Sequence, residues 1–330
     1  MPIKHLILSG GGPIGLQFLG TLEYLNTAGF WNIENIETIY STSIGTMVGT
    51  CIALNYDWET LNKYIIERPW HDLFKINGKQ IFDAFYKKGL YDIKTIESIF
   101  KPLLEAKDLS LKITLKEFYE YTKIEFHLYT FEQNKFETVG LSYKTHPDLG
   151  LIQAILMSCA IPGLFTPTCI DNNCYIDGGV LACYPLNYCL NENGGHEKQD
   201  EMLGITFYRY GDRPDVYKIN DITSESSILE HAVSFFINAM NHIEKTKKKD
   251  KIINQIECKN EGDFLSIEVM RESLGNKEIR RRWIDLGYED AKLFLETRNS
   301  KNTDSTAATL ATESVVATES TAATDSTVCI

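Results

Sequence analysis

The stretch IYSTSIGTMVG, residues 39–49, sets Ser43 among small neighbours, with Ser41 two places before it and Gly45 two places after. A strand that turns sharply into a helix can hold a serine at its strained corner as a nucleophile, and small residues two places either side are what that corner requires. The same serine could equally be the N-cap of the helix that follows. A nucleophilic serine needs a base. Asp177, in CYIDGG, follows a short apolar stretch and precedes Gly178 and Gly179. Strand ends of open α/β sheets present their functional groups at such places, although an Asp-Gly pair also makes ordinary turns. The candidate histidines after Ser43, namely His71, His127, His146, His196, His231 and His242, fall in no evident catalytic loop.

A third element is the loop SGGGPIG, residues 9–15. Gly10, Gly12 and Gly15 fit G-x-G-x-x-G, which in a dinucleotide-binding fold would cradle a pyrophosphate, with an acid about 20 residues on to hold the ribose. Glu34 and Glu37 are near that spacing. The amides of Gly10, Gly11, Gly12 and Gly15 could instead face the oxyanion of an acyl-transfer intermediate at a helix start. Both uses remain open on the residues alone.

The elements that must position these groups alternate in type. Ile3–Leu8 reads as a buried strand, Pro13–Thr27 as a helix with Leu16, Leu19, Leu22 and Leu25 recurring, Ile33–Tyr40 as a second strand and Ile44–Leu54 as a second helix. That order predicts a parallel α/β sheet. Residues 58–120 read as mostly helical, 126–140 as a hairpin turning near Asn134 and Lys135, Cys174–Ile176 and Met202–Phe207 as strands, and 276–296 as a closing amphipathic helix or helix pair. From 299 the chain becomes a Ser/Thr/Ala-rich run with ATES and ATDS repeats. The expectation is one folded domain over 1–298 and a disordered tail over 299–330.

The chain has 330 residues, 43% hydrophobic content and a net charge of −12. That balance argues against a nucleic-acid partner, since phosphate backbones need a cationic face. The eight cysteines form no C-x-x-C pair and no zinc-ligand spacing, so free buried thiols and no metal are expected. The N-terminal apolar run is too short for a signal peptide, and glycines and proline break the longest uncharged stretch, so an intracellular, cytoplasmic protein is expected. Phe74, Ile81, Phe82, Phe85, Leu90 and Phe100 offer apolar surface on otherwise polar helices, for core packing or for a lid. KTKKKDK (245–251) and RRR (280–282) are local basic patches, read first as solvated faces and second as points of peripheral membrane contact.

Taken together, these motifs resemble the patatin-like phospholipase family. The glycine-rich loop Gly10–Gly15, the elbow Ser41–Gly45, the segment AILMSCAIPGLFTP (154–167), the Asp177-Gly178-Gly179 triplet and the closing IDLGYEDAKLFL (284–295) follow the family's order across most of residues 3–297. The resemblance implies an α/β/α sandwich with a mainly parallel central sheet. It implies a serine–aspartate dyad without histidine, Ser43 as nucleophile and Asp177 as base, with Gly10, Gly11, Gly12 and Gly15 around the oxyanion. It implies no cofactor, and a lipid or phospholipid substrate cleaved at an acyl ester. There are three departures from the family's pattern: Ser41 replaces the first elbow glycine, Cys183 stands where an asparagine is common, and neither Pro13 nor Ile14 is the basic residue that many members carry there. Two other readings stand beside this one. The first is a dinucleotide-binding oxidoreductase using the Gly10–Gly15 loop. The second is a patatin-fold binding protein with an inactive site.

Overall fold

A computed structural model describes residues 1–75, 78–207, 223–246, 250–259 and 267–321. The apolar run near the N-terminus is β1 (His5–Leu8), buried on both faces. A 3₁₀ turn over Gly12–Leu16 leads into α1 (Gln17–Thr27), whose Leu19, Leu22 and Leu25 are buried. The second strand, β2 (Thr38–Thr42), is shorter and later than the expected 33–40. Residues 33–35 form a 3₁₀ turn instead, because the Asn32 side chain accepts the Glu34 N–H and turns the chain before the strand begins. Then follow α2 (Ile44–Ala53), α3 (Trp58–Glu67), α4 (Gly78–Lys87), the short β3 (Gly89–Tyr91), α5 (Ile93–Glu105) and α6 (Leu115–Thr122). Asp57, Asp92 and Thr114 cap α3, α5 and α6 by accepting early amides of each helix.

The hairpin expected over 126–140 is β4 (Glu125–Glu132) and β5 (Glu137–Leu141), paired antiparallel. After α7 (Leu151–Cys159) come β6 (Gly163–Phe165), β7 (Thr168–Ile170), β8 (Asn173–Asp177), α8 (Gly179–Ala182), α9 (Leu186–Glu192) and β9 (Met202–Phe207). The described chain closes with α10 (Ile228–Thr246), β10 (Gln255–Cys258), α11 (Ile267–Gly275) and α12 (Lys277–Thr321). The main sheet runs β10-β9-β1-β2-β4-β8-β7, with β5 also on β4; a small ladder joins β3 to β6. Strands β10, β9, β1, β2 and β4 are mutually parallel, and β5, β7 and β8 pair antiparallel.

Side chains alternate across the pleat, so each strand serves two layers. Leu6, Leu8, Ile39, Phe126 and Leu128 join the large core with helices α1, α2, α5 and α7. Ile7, Tyr40 and Tyr129 face the other way, onto Ala182, Leu186 and Leu190 of α8 and α9. The fold is therefore an α/β/α sandwich with a mainly parallel sheet. We propose 298 as the end of the packed domain. Beyond it α12 runs into the Ser/Thr/Ala-rich segment, which has no apolar stripe to bury.

Two cysteines depart from the free-thiol expectation. Asp171 and Asn172 adopt left-handed backbone, φ 46° and 66°, in the two-residue turn between β7 and β8. That turn sets Cys169 opposite Cys174, with Cα atoms 4.1 Å apart, and the two are joined as a disulfide. Cys51, Cys159, Cys183, Cys189 and Cys258 are not disulfide-bonded. Among the described residues no cluster of three potential metal ligands exists, and no helix is long and apolar enough to cross a membrane.

One of the three arginines of the RRR patch is not a solvated charge. Arg280 is buried, and its guanidinium donates to the carbonyls of Ile65, Ile66 and Arg68 at the end of α3 and of Ser273 and Leu274 at the end of α11. Five N–H groups in a rigid fork meet carbonyls that helix ends leave unpaired, and the positive charge suits the negative ends of both helices. Arg280→Met should lower unfolding stability by at least about 3 kcal/mol, since several buried carbonyls lose their donor. Arg280→Lys should recover only part of that loss. Urea unfolding measures both, and a methionine variant as stable as the parent would contradict the assignment.

Candidate active site

Strand β2 ends at Thr42, and the chain turns at once into α2. Ser43 sits at that corner with φ 53° and ψ −124°, a conformation that costs a non-glycine residue about 1–3 kcal/mol. The corner is held from several sides. The Ser43 N–H donates to Ser158 Oγ at 3.0 Å, and the Ser158 hydroxyl donates to the Tyr129 carbonyl at 2.7 Å. Thr46 Oγ1 lies 3.0 Å from Ser158 Oγ and 3.2 Å from Ser41 Oγ. Gly45 is required by close approach: a Cβ there would stand 2.5 Å from the Leu8 carbonyl oxygen. Ser41 lies inside β2, opposite Leu128. It is fully buried, and its hydroxyl also lies within hydrogen-bonding distance of the His127 carbonyl. The left-handed backbone is at Ser43 and not at Ser41, which keeps regular strand pairing.

Asp177 is the last residue of β8, which pairs antiparallel with β4, itself the parallel neighbour of β2. The end of β4 therefore lies between the two candidate groups. The Ser43 hydroxyl reaches across and donates to Asp177 Oδ2 at 2.6 Å. The Gly179 N–H donates to the other carboxylate oxygen at 2.7 Å. Gly178 lets β8 turn into α8 against β4; a Cβ there would lie 2.3 Å from the Tyr129 carbonyl oxygen. Asp177 is 1% exposed. Burial pushes its carboxyl up to about 6, with the bonds from Ser43 and Gly179 pulling the other way. The described hydrogen bonds of Asp177's carboxylate come from Ser43 and Gly179, and none comes from a histidine.

The glycine loop arrives at the same place from β1. A Cβ on Gly10 would be 3.4 Å from both Ser43 Cβ and Cys183 Sγ. The Gly10 N–H is already engaged, donating to the Cys183 carbonyl at 2.8 Å, and the Cys183 thiol contacts the Gly10 carbonyl at 3.8 Å. Gly15 lies within the 3₁₀ turn and packs on Ile44. Of the four loop glycines, Gly11 and Gly12 have N–H groups with no acceptor among the described residues. Gly12 has φ 61°, a left-handed turn that aims the loop past Ser43.

Ser43 is 8% exposed and opens onto an apolar cavity of about 200 Å³. Pro13, Met47, Phe74, Phe100, Phe165 and Val233 are among its lining residues. Of the apolar residues singled out in 73–104, Phe74 and Phe100 line this cavity, whereas Phe82 points to solvent. Glu34 and Glu37 do not approach the glycine loop. They precede β2, at the opposite end of the parallel β1–β2 pair from Gly10. A ribose on a loop-bound dinucleotide would be out of their reach, which removes the feature that favoured a nucleotide reading. Ser158 and Thr46 are the site residues whose roles sequence reasoning did not assign. Ser158 was visible only as a member of a matching segment, with nothing local to show that its hydroxyl meets the Ser43 amide.

The family model for patatin-like phospholipases matches residues 6–190, more than half the chain, and the match includes the glycine loop, Ser41, Ser43, Ser158 and Asp177. A protein of Invertebrate iridescent virus 6 called probable lipid hydrolase 463L is 28% identical over 207 residues, 62% of this chain and 69% of that one. Protein R571 of Acanthamoeba polyphaga mimivirus is 26% identical over 215 residues, 64% of this chain and 68% of that one. Among solved structures, VipD from Legionella pneumophila shares the fold, with a TM-score of 0.50 at 17% identity, over 89% of this chain and 67% of its own.

The buried carboxylate has a consequence for stability. Between pH 3.8 and about 6 the folded chain keeps a proton on Asp177 that the unfolded chain has lost. Its contribution to stability therefore falls as pH rises through that window and stays low above it. Asn can accept from Gly179 and meet Ser43 without carrying charge. Asp177→Asn should raise unfolding stability by about 1–3 kcal/mol at pH 8, with the gain fading below about pH 4. Denaturant titrations at the two pH values test this, and a variant less stable than the parent at pH 8 would count against a charged, dry Asp177.

Proposed function

The chain belongs to the patatin-like phospholipase family, and from that premise we propose that it hydrolyses fatty-acyl ester bonds of lipids through a Ser43 acyl-enzyme, with Asp177 as general base. The observation that carries this reading is the 2.6 Å hydrogen bond from the Ser43 hydroxyl to a buried carboxylate. It stands beside two open amides and a cavity with apolar walls. The viral relative, called a probable lipid hydrolase, points the same way.

The acyl chain lies in the apolar cavity, and the ester carbonyl comes to the corner of β2 and α2. Asp177 takes the proton of Ser43 as Oγ attacks the carbonyl carbon. The oxygen that becomes negative is met by the Gly11 and Gly12 N–H groups, each such donor being worth about 3 kcal/mol in related sites. The positive end of α2 adds to the same stabilisation. The intermediate collapses, the ester C–O bond breaks, and the proton on Asp177 passes to the departing alcohol. A water molecule then gives its proton to Asp177 and attacks the acyl carbon. The fatty acid leaves, and Ser43 regains its proton.

A carboxylate in water is too weak a base for this task. Desolvation brings Asp177 to about 6, close to neutral pH, where a general base is most effective. No metal or cofactor enters the proposal. Ser41 and Cys183, which favoured an inactive-site reading, find ordinary places: Ser41 inside β2, and Cys183 bonded to the glycine loop.

Hydrolysis of a soluble short-chain ester should fall by at least about 10³-fold in Ser43→Ala, a loss of the size seen when nucleophiles are removed. A fluorophosphonate probe should label the parent at Ser43. For the parent, kcat/KM should rise with pH to a plateau, with its midpoint near 6, because the protonated carboxyl cannot accept the Ser43 proton. Equal rates in parent and Ser43→Ala would end the proposal.

A further inference from the structure

Two helices beside the cavity turn large apolar side chains to solvent. On α4, Phe82 is 74% and Tyr86 89% exposed; on α10, Ile228 is 79% and Phe235 77% exposed. Phe82 and Tyr86 are four residues apart and so share one helix face. On α10 the face turned inward carries Val233, Phe236 and Met240, packed against the body, which leaves Phe235 on the outer side.

A rim of linked contacts joins the two helices: α4 contacts β3, its neighbour in sequence, β3 pairs with β6, and β6 contacts α10. The same rim borders the cavity that contains Ser43, through Phe74 just before α4, Phe165 of β6 and Val233 of α10. The charge around α4 is opposite to that of the whole chain. Residues 72–92 contain Lys75, Lys79, Lys87 and Lys88 against Asp72, Asp83 and Asp92, four minus three, or +1, in a protein of net charge −12. Of these, Lys75 pairs with Asp72 and Lys87 with Asp92.

We infer that the α4–α10 rim docks on the surface of an anionic lipid bilayer, with Phe82, Tyr86 and Phe235 entering the headgroup region. This rests on the lipid-ester reading of Ser43, because a bilayer is where such a substrate resides. Exposed aromatics beside lysines are the composition of interfacial helices, and anionic headgroups attract cationic segments. The geometry also answers a difficulty of the site. Ser43 is nearly buried, so a lipid must leave the bilayer to reach it, and a rim seated in the headgroups lets an acyl chain pass from membrane to cavity without crossing water.

The test uses the full chain with Ser43→Ala, so that no lipid is consumed, in sedimentation with phosphatidylcholine vesicles containing or lacking phosphatidylserine, the anionic lipid of a cytoplasmic leaflet. Binding should require the anionic lipid and weaken several-fold when salt is raised, as screening demands. Phe82→Ser with Tyr86→Ser and Phe235→Ser should lower the partition coefficient about tenfold or more. Lys79→Glu with Lys88→Glu, which leaves the Lys87–Asp92 pair intact, should do so through the charge alone. The same substitutions on the Ser43 parent should leave turnover of a soluble short-chain ester within about twofold. That control shows that the variants fold, and it separates failure of docking from failure of the proposed chemistry. Absence of vesicle binding by the parent, or unchanged binding by both variants, would overturn the inference. So would a concentration-dependent dimer abolished by the triple serine variant, which would assign the rim to a second copy of the chain.

Discussion

The hydrogen bond between Ser43 and Asp177 organises this molecule because it confines a carboxylate to a dry place with two donors. An ionised group that deep would be intolerable without them. Gly179 supplies one donor through the backbone turn that ends β8, and Ser43 supplies the other through a strained corner at the end of β2. Each donor exists only where a strand stops and a helix starts. The sheet order β2-β4-β8 then sets how far apart those two stops can be. A change in register at β4 would separate the two side chains and leave the carboxylate buried with half its partners.

The support for that bond is polar and local, whereas the support for the fold around it is apolar and distributed. Ser158, Thr46, Ser41 and Thr130 are buried hydroxyls that bind the ends of α7, β4 and β8 to the serine corner. Buried hydroxyl networks restrict geometry when every member has a partner. The lining of the cavity, by contrast, is mostly helical, with α2, α3, α5 and α11 all contributing. Arg280 ties two of these together by closing both helix ends at once. The site thus joins two parts: a hydrogen-bonded corner on the sheet and an apolar helical lining, in which one guanidinium closes the ends of α3 and α11.

Much of this was legible from residues alone. Helices α1 and α2, the β4–β5 hairpin, β9 and the first part of α12 announce themselves by periodicity, glycine placement and turn residues. The elbow and the Asp-Gly-Gly triplet stand out as short patterns. Other features were hidden for identifiable reasons. Strand β2 was expected too early because an asparagine-capped turn and a strand start both look like polar residues before an apolar run. Cys169 and Cys174 are five apart, and only the two-residue left-handed turn at Asp171 and Asn172 sets them face to face. Arg280 sits in a run of three arginines and reads as surface charge until two helix ends converge on it. Gly10 looked like an oxyanion donor until Cys183, 173 residues later, was seen to accept its N–H.

What this sequence determined by itself is the set of local conformations: which segments are strands or helices, where small residues permit a sharp corner, and which residue types could perform acyl transfer. These follow from short-range sterics and periodicity, which act within a few residues. Tertiary structure decided the rest. It chose which glycine amides stay open, which hydroxyls brace Ser43, and how far Asp177 is removed from water. Those outcomes depend on contacts between segments more than a hundred residues apart, where the strength of each electrostatic interaction is set by what the fold places around it.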